Sequence, residues 1–345
     1  MSSPVRYGIV GCSGIGTTHA AALDDIEDAD LVACADIDED AAAAFADEYE
    51  VAESYTDTGR MIETADIDAV SVCTPSGTHA DVAIEAAHAG ADILCEKPLD
   101  VYADRINAMI AAADEAGVTL AGVFQRRFDP QLRRAKQLVD EGEIGDVILS
   151  DTRVKWFRSQ EYYDSGGWRG TRDMDGGCMM NQGVHDIDAL QWLVGDVEAV
   201  SAMTGTLARE LDCEDTAAVA VQFASGALGS IEVTTAVKGG VDGVEVNGTD
   251  GSFSVVDGEL TDVQIGTGEE SHYHADTEET DPEDAPHPCG VGHPAVLADF
   301  VESVRTGREP EVPAQEARKA VDVILASYRS AEEGRVVRLD ELRDS

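Results

Sequence analysis

The first 122 residues alternate between short apolar runs and longer amphipathic stretches, and nothing else in the chain limits its fold so strongly. YGIVG, LVACAD, AVSVCTP, DILCEKP and TLAGVF are apolar without polar alternation, and TTHAAALDDI, EDAAAAFADEY, HADVAIEAAHAG and DRINAMIAAADEAG separate them. Strands apolar on both faces and joined by helices predict a parallel sheet covered on both sides. That is a doubly wound α/β domain, expected over residues 1–122.

The pattern changes after residue 122. FDPQLRRAKQLVDEGEIG reads as a helix, and DVILSDTRVKWF, TAAVAVQFA, ALGSIEVTTAV and GVEVNG follow as strand-like runs with Gly and Asp turns. They lie too close together for crossover helices, so a second, mostly antiparallel sheet is expected in a domain spanning 123–345. The segments NQGVHDIDALQWLVG, PAVLADFVESVRTG and AQEARKAVDVILASYRSAEEG read as its helices. Residues 266–292, acidic and rich in Gly, Pro and His, are expected to form a solvated loop. No internal repeat is present. A chain of 345 residues can bury a full core in each of two domains.

Charge excludes several function classes. There are 69 acidic residues against 24 basic ones, a formal net charge of −45, and only five of the basic residues are lysine. Such a surface repels nucleic acid and anionic lipid. The acids are spread along the chain rather than gathered in a tail, which argues against disorder. A salt-rich cytoplasm suits them, because the Debye length falls to about 3 Å near 1 M salt. No run approaches the roughly 18 to 20 apolar residues of a membrane span. MSSPVRYG has no basic-then-apolar pattern of a signal peptide. Seven cysteines with no C-x-x-C pair suggest a reducing compartment, hence a cytoplasmic protein. Cys12, Cys34, Cys73 and Cys95 close apolar runs and read as small buried residues.

The turn after the first apolar run, GIVGCSGIG, has three candidate chemistries. A phosphate-cradling P-loop needs lysine where Thr17 stands. A nucleophile elbow, G-x-S-x-G, needs glycine where Ile15 stands. A dinucleotide turn, G-x-G-x-x-G, keeps Gly11 and Gly16, with Ser13 in the middle position beside Gly14 and Ile15. Asp36 ends the second strand, twenty residues beyond Gly16, where a carboxylate would hold the ribose hydroxyls. The order strand, turn, helix, strand, acid favours the dinucleotide reading and NAD as the cofactor.

CTPSGTHADVAIEAAHAGADILCEKPL, residues 73–99, resembles the signature of the Gfo/Idh/MocA oxidoreductases. Thr74, Pro75 and His79 match its T-P-x-x-x-H element, and Glu96, Lys97 and Pro98 match its E-K-P element. WRGTRDMDGGCMMNQGVHDIDALQWLVG, residues 168–195, is similar to its second signature, and GHPAVLADFVESVRTGREP to its C-terminal one. The resemblance covers essentially the whole chain. It implies a Rossmann domain followed by an α/β domain with an open, mostly antiparallel sheet. The exposed face of that sheet would assemble a homodimer or homotetramer. It also implies cofactor contacts from Gly11, Ser13, Gly14, Ile15, Gly16, Asp36, Thr74, Pro75, His79, Glu96, Lys97, Gln125, Trp168 and Arg169.

Oxidising a sugar hydroxyl removes a hydride from carbon, which a nicotinamide takes, and a proton from oxygen, which needs a base within reach. Lys97 follows an apolar strand, so it stands at the carboxyl edge of the sheet where ligands bind. The family's lysine and histidine fall on Lys97 and His185. Asn181 lies four residues before His185 in a helical segment, on the same face. The family often has aspartate there; asparagine cannot ionise, which leaves Lys97 and His185 to move the proton. Gly183 between them costs about 1 kcal/mol in a helix, a sign that something approaches closely. Arg127, Trp156, Arg158 and Tyr163 join Lys97, Asn181 and His185 as candidate substrate contacts. Arginines among aromatics suit a phosphorylated or carboxylated sugar; in so acidic a chain they can equally pair with local carboxylates. His272, His274, His287, Cys289 and His293 fit no standard zinc spacing, and no metal is expected.

The expected activity is NAD-dependent oxidation of a sugar or nucleotide sugar, with C3 of a UDP-sugar as its sharpest form. The alternatives are an inositol or free-sugar dehydrogenase, a ketosugar reductase, or a catalytically silent NAD-binding regulator. Retention of Lys97 and His185 argues against the last.

Overall fold

The computed structural model describes residues 3–266 and 292–342. The expected loop at 266–292, with His272, His274, His287 and Cys289, lies almost wholly outside them. The described chain divides into two compact units: residues 3–128 with 292–318, and residues 129–266 with 319–342. This departs from a single cut at residue 122, because a late segment returns to the first unit.

In the first unit, β1 (Val5–Val10), α1 (Ile15–Asp24), β2 (Ala29–Ala35), α2 (Glu39–Glu48), β3 (Glu53–Tyr55) and α3 (Thr58–Ala65) build one half of the sheet. β4 (Ala69–Val72), α4 (His79–Ala89), β5 (Asp92–Cys95), α5 (Ala103–Ala116) and β6 (Leu120–Gly122) build the other. All strands are parallel, in the order β3-β2-β1-β4-β5-β6. β4 is buried at every position, and β1 at all but Arg6, as strands covered on both faces require. The order reverses between β1 and β4, and the turns after these two strands open at that switch point.

Acids are built into the helix starts. Asp38 accepts from the N–H groups of Asp40 and Ala41, and Asp57 from that of Arg60. Each satisfies helix-end donors that would otherwise lack partners.

The second unit begins with α6 (Pro130–Asp140), β7 (Val147–Lys155) and the short α7 (Gln160–Asp164). A π-helical turn at Met179–Gly183 leads into α8 (Val184–Val194). Six strands follow: β8 (Val197–Gly205), β9 (Thr216–Phe223), β10 (Leu228–Thr234), β11 (Gly243–Gly248), β12 (Gly251–Val256) and β13 (Glu259–Ile265). α9 (His293–Thr306) belongs to the first unit, where it packs on α1. The chain passes into the second unit within α10 (Ala314–Glu333), and β14 (Val337–Arg338) closes the sheet edge.

The eight strands run β13-β12-β11-β7-β10-β9-β8-β14, and only β7 and β10 pair in parallel. α8 packs on β7 and β11, and α6 on β12 and β13. β9 alternates strictly between buried and exposed positions, so the sheet has one core face and one open face. The six described cysteines are all buried and unbridged.

Candidate active site

One group of candidate residues lies in the first unit, at the turn between β1 and α1. Gly11 has φ 98°, and a Cβ on it would stand 2.7 Å from the Cys73 carbonyl. A Cβ on Gly16 would collide with the Gly11 carbonyl oxygen. Only glycine lets the turn close this tightly against the neighbouring strand. No side chain caps α1, and its first turn carries no acid. The helix N-terminus therefore keeps its N–H groups and positive dipole end for an anion. Ser13 and Gly14 are exposed there, and Ile15 is half-exposed. Asp36 Oδ2 accepts from the Cys12 N–H at 2.8 Å, and Oδ1 accepts from the Asp38 N–H at 3.0 Å. The carboxylate is thereby fixed beside the glycine turn. These residues fit a dinucleotide: an open helix start for the pyrophosphate, and an oriented acid for the ribose.

Ile37 is 97% exposed next to Asp36. Its sequence gives no signal of a site, because an isoleucine after a strand carries no chemistry of its own. Thr74 and Pro75, after β4, are half-exposed. Gln125 is half-buried, and its Oε1 is buried with no hydrogen-bond partner.

Lys97 follows β5 and is half-exposed. Its backbone N–H donates to Glu96 Oε2 at 3.0 Å. Glu96 itself faces inward. Its Oε1 lies 3.0 Å from His19 Nε2 and 3.4 Å from His293 Nε2. Burial alone would raise its pKa, but the bonds to His19 and His293 hold it well below the usual carboxylate range. An ionised Glu96 only accepts, so His19 Nε2 donates to it, and His19 Nδ1 bonds the Ser71 hydroxyl at 2.8 Å. Ser71 also shares a hydrogen bond with the Tyr7 hydroxyl at 2.9 Å. This buried chain anchors the peptide that carries Lys97, which makes Glu96 a positioning residue rather than an exposed cofactor contact.

His79 has a similar place. It is 1% exposed, with Nδ1 2.7 Å from the Pro98 carbonyl oxygen and Nε2 2.8 Å from that of Thr74. Both bonds form only on a doubly protonated ring, which burial opposes by lowering the pKa. His79 ties the Thr74 turn to the Lys97–Pro98 turn from below. Arg127 is 4% exposed, with its guanidinium 3.8 Å from Glu316, so it faces the core of this unit instead of a ligand.

A second group lies in the second unit. Between residues 175 and 191 only Asn181 and His185 are half-exposed, and every other residue is buried. The stretch thus presents these two side chains outward on one face. Asn181 belongs to the π-helical turn, and His185 to the first turn of α8. Such turns recur at functional sites. The close approach signalled by Gly183 is to β10, where a Cβ would stand 2.9 Å from a Val233 methyl. Asn181 Nδ2 donates to Asp175 Oδ1, and Asp175 Oδ2 accepts from the Gly170 N–H at 2.8 Å. Asp175 is 1% exposed. In the sequence this acid carries no motif of its own; its signal is a carboxylate directly ahead of a glycine pair.

Trp156, Arg158, Trp168 and Arg169 are half-exposed in this unit. Tyr163 is 5% exposed, and its hydroxyl bonds Thr235 at 2.8 Å; it holds the loop to β10 instead of pointing at solvent. Among the described residues one group has metal-ligand types close together, namely His19, Glu96 and His293, and the buried chain above already uses all three.

Residues 5–124 match the model of the oxidoreductase family NAD-binding Rossmann fold, and residues 136–339 match the C-terminal α/β domain of the same Gfo/Idh/MocA family. The chain belongs to the Gfo/Idh/MocA oxidoreductases. It is an NAD(P)-dependent dehydrogenase acting on CH–OH donors, and NAD is its cofactor.

A solved relative in this family is the WlbA dehydrogenase of Chromobacterium violaceum, in complex with NADH and UDP-GlcNAcA. It is 34% identical with a TM-score of 0.88, covering 98% of this chain and 96% of that one. The myo-inositol 2-dehydrogenase of Thermotoga maritima is 31% identical, over 98% of this chain and 99% of the relative. A D-xylose 1-dehydrogenase (NADP(+)) of Haloferax volcanii is also 31% identical, over 97% of this chain and 100% of the relative. No helix among the described residues is long and apolar enough to cross a membrane.

Proposed function

We propose that the protein oxidises a secondary ring hydroxyl of a sugar or nucleotide sugar, in its sharpest form C3 of a UDP-sugar, with Lys97 and His185 handling the proton. The observation that carries this reading is the pair Asn181 and His185, presented alone from an otherwise buried stretch. Bound NAD supplies the hydride acceptor. Gly11, Ser13, Gly14, Ile15 and Gly16 would hold its pyrophosphate, and Asp36 its ribose hydroxyls. Ile37 would give an apolar surface beside them, and Thr74, Pro75 and Gln125 would hold further polar groups. The Gln125 oxygen needs a donor that the described residues do not provide.

The chain's own chemistry is then proton removal. Lys97 Nζ takes the hydroxyl proton as the C–H bond gives up its hydride. His185 shares that proton, and Asn181 holds the ring by a hydrogen bond made in both ground and transition states. The anchor from Glu96 to the Lys97 N–H fixes the lysine's backbone, which favours a positioned base. Oxidation of an inositol or free sugar, or reduction of the ketone, is the second reading. The inositol dehydrogenase relative favours it.

The open face of the second unit's sheet carries Met203 at 82%, Leu228 at 57% and Leu149 at 51% exposure. We assign this face to a homodimer or homotetramer, since apolar groups so exposed on one sheet face call for cover. The acidic surface suits a cytoplasm rich in salt.

Kinetics of three variants test the proton roles. Lys97→Met should lower kcat by about 10²- to 10⁴-fold, with a smaller effect on NADH affinity by fluorescence titration. His185→Ala should also lower kcat strongly. Asn181→Ala should mainly raise KM, because it removes uniform binding. Near-normal kcat in Lys97→Met, or a kcat abolished at saturating substrate in Asn181→Ala, would overturn the assignment.

A further inference from the structure

We infer that Arg158 and Arg169, backed by Arg209, form a subsite for an anionic group on the substrate, a carboxylate or a phosphate, in place of the cofactor contact that the family resemblance implies for Arg169. This rests on the dehydrogenase reading above and narrows its substrate class. The Arg158 guanidinium lies 5.1 Å from the ring centres of both Trp156 and Tyr162. That of Arg169 lies 5.0 Å from the same Tyr162 ring and 4.6 Å from Trp168. Arg209 donates through Nε to the Arg158 carbonyl at 2.7 Å, and its guanidinium lies 5.1 Å from the Phe157 ring.

None of these three arginines has a carboxylate within 4.0 Å among the described residues, in a chain of 69 acids. The contrast within the molecule is sharp. Arg105 holds Asp81 and Asp100, Arg308 holds Asp299 and Glu302, and Arg338 holds Glu198 and Asp340. Among the described residues, local pairing, which acid abundance makes the default, is avoided where these arginines gather among aromatics.

Stacking occupies the faces of a guanidinium and leaves its N–H edge for a planar or tetrahedral anion. Arg158 Nε, Arg169 Nε and Arg209 Nη2 are buried donors with no hydrogen-bond partner among the described residues. Such donors are costly to leave unfilled. Two like charges flanking one tyrosine also repel, and an anion bound by both removes that cost. The position fits the reacting group. The Gly170 N–H, next to Arg169, bonds Asp175, which in turn accepts from Asn181. The Arg158 N–H bonds the Thr235 carbonyl at 2.8 Å, just past the β10 residue that abuts Gly183.

The test measures NAD-dependent turnover at fixed KCl with D-glucose, myo-inositol, D-glucuronate, glucose 1-phosphate and UDP-glucuronate. The wild type should prefer anionic over neutral substrates in kcat/KM. Arg158→Gln and Arg169→Gln should each reduce that preference by about 10- to 100-fold, chiefly through KM, as loss of a charged hydrogen bond implies. Comparing D-glucuronate with glucose 1-phosphate tells a carboxylate from a phosphate. An equal loss for neutral and anionic substrates, or a loss confined to NADH affinity, would overturn the subsite. If no substrate turns over, the dehydrogenase reading is what fails. Calorimetric binding of UDP-glucuronate to the wild type but not to Arg158→Gln would then still support the subsite, and no binding to either would refute it.

Discussion

Asp36 is expected to set the choice between the two nicotinamide dinucleotides. Its carboxylate is held by the Cys12 and Asp38 N–H groups, so it cannot swing away from a 2′-phosphate. The next residues, Ile37, Asp38 and Glu39, provide no cation to receive one. Juxtaposed like charges cost several kcal/mol, so kcat/KM with NAD should exceed that with NADP by at least about 100-fold. The NADP-named Haloferax relative makes this a real choice within the family. Parity between the cofactors in steady-state kinetics would show that Asp36 is not read this way. Asp36 was legible because strand, turn and spacing announce it. Glu96 and His79 were legible as motif residues only. That they face inward, and hold Lys97 and Thr74 in place from behind, depends on His19 and His293, which lie 77 residues before and 197 after Glu96.

The parallel strands were legible because burial on both faces forces continuous apolar runs. β3 and α3 left no such mark: β3 is three residues, exposed or half-exposed throughout. Nor could a local pattern show that residues 292–318 return to the first unit. The bond from the Gly122 N–H to the Val312 carbonyl at 3.0 Å joins residues that no window spans. The π-helical turn breaks the 3.6-residue period that any helix reading assumes. Its start is held by Glu214, whose Oε1 accepts from the Met179 N–H at 3.0 Å and lies 2.9 Å from the Tyr328 hydroxyl on α10. Tyr328 also donates to the Gly176 carbonyl. Its single proton cannot serve both, so a protonated Glu214 completes the chain by donating to Tyr328. Burial agrees, raising the Glu214 carboxyl from 4.5 to about 7. An acid whose pKa is raised on folding binds more protons in the native state. Its contribution is full below about pH 4.5, declines as pH rises to about 7, and is then gone. Glu214→Gln, which stays neutral, should match the wild type at pH 4.5 and exceed it at pH 8 by up to about 3 kcal/mol. Denaturant unfolding at both pH values measures this. A difference independent of pH would show that Glu214 is ionised throughout.

At the scale of the whole molecule, the net charge of −45 outweighs every other feature of the surface. A few acids are absorbed by the architecture, as caps at Asp38, Asp57 and Asp129 or as partners of Arg105, Arg308 and Arg338. With 24 cations for 69 acids, most carboxylates have no cation to meet. In dilute buffer the Debye length is about 10 Å, so neighbouring surface acids repel one another and favour the expanded chain. Near 1 M salt the length falls to about 3 Å and that repulsion is largely screened. Stability and activity should therefore rise together between 0.1 M and 3 M KCl, with Tm increasing on the order of 10 °C for a few kcal/mol of relieved repulsion. Most of the gain should come below about 1 M, where screening changes fastest; a gain that accrues evenly to 3 M would point to salting-out of apolar surface instead. Replacing exposed acids outside the site, for example Glu27→Gln with Glu48→Gln and Glu63→Gln, should move the curve to lower salt. A Tm that does not change across the range would mean that the charge is already balanced in the native state, and would sink the reading of this composition as an adaptation to high salt.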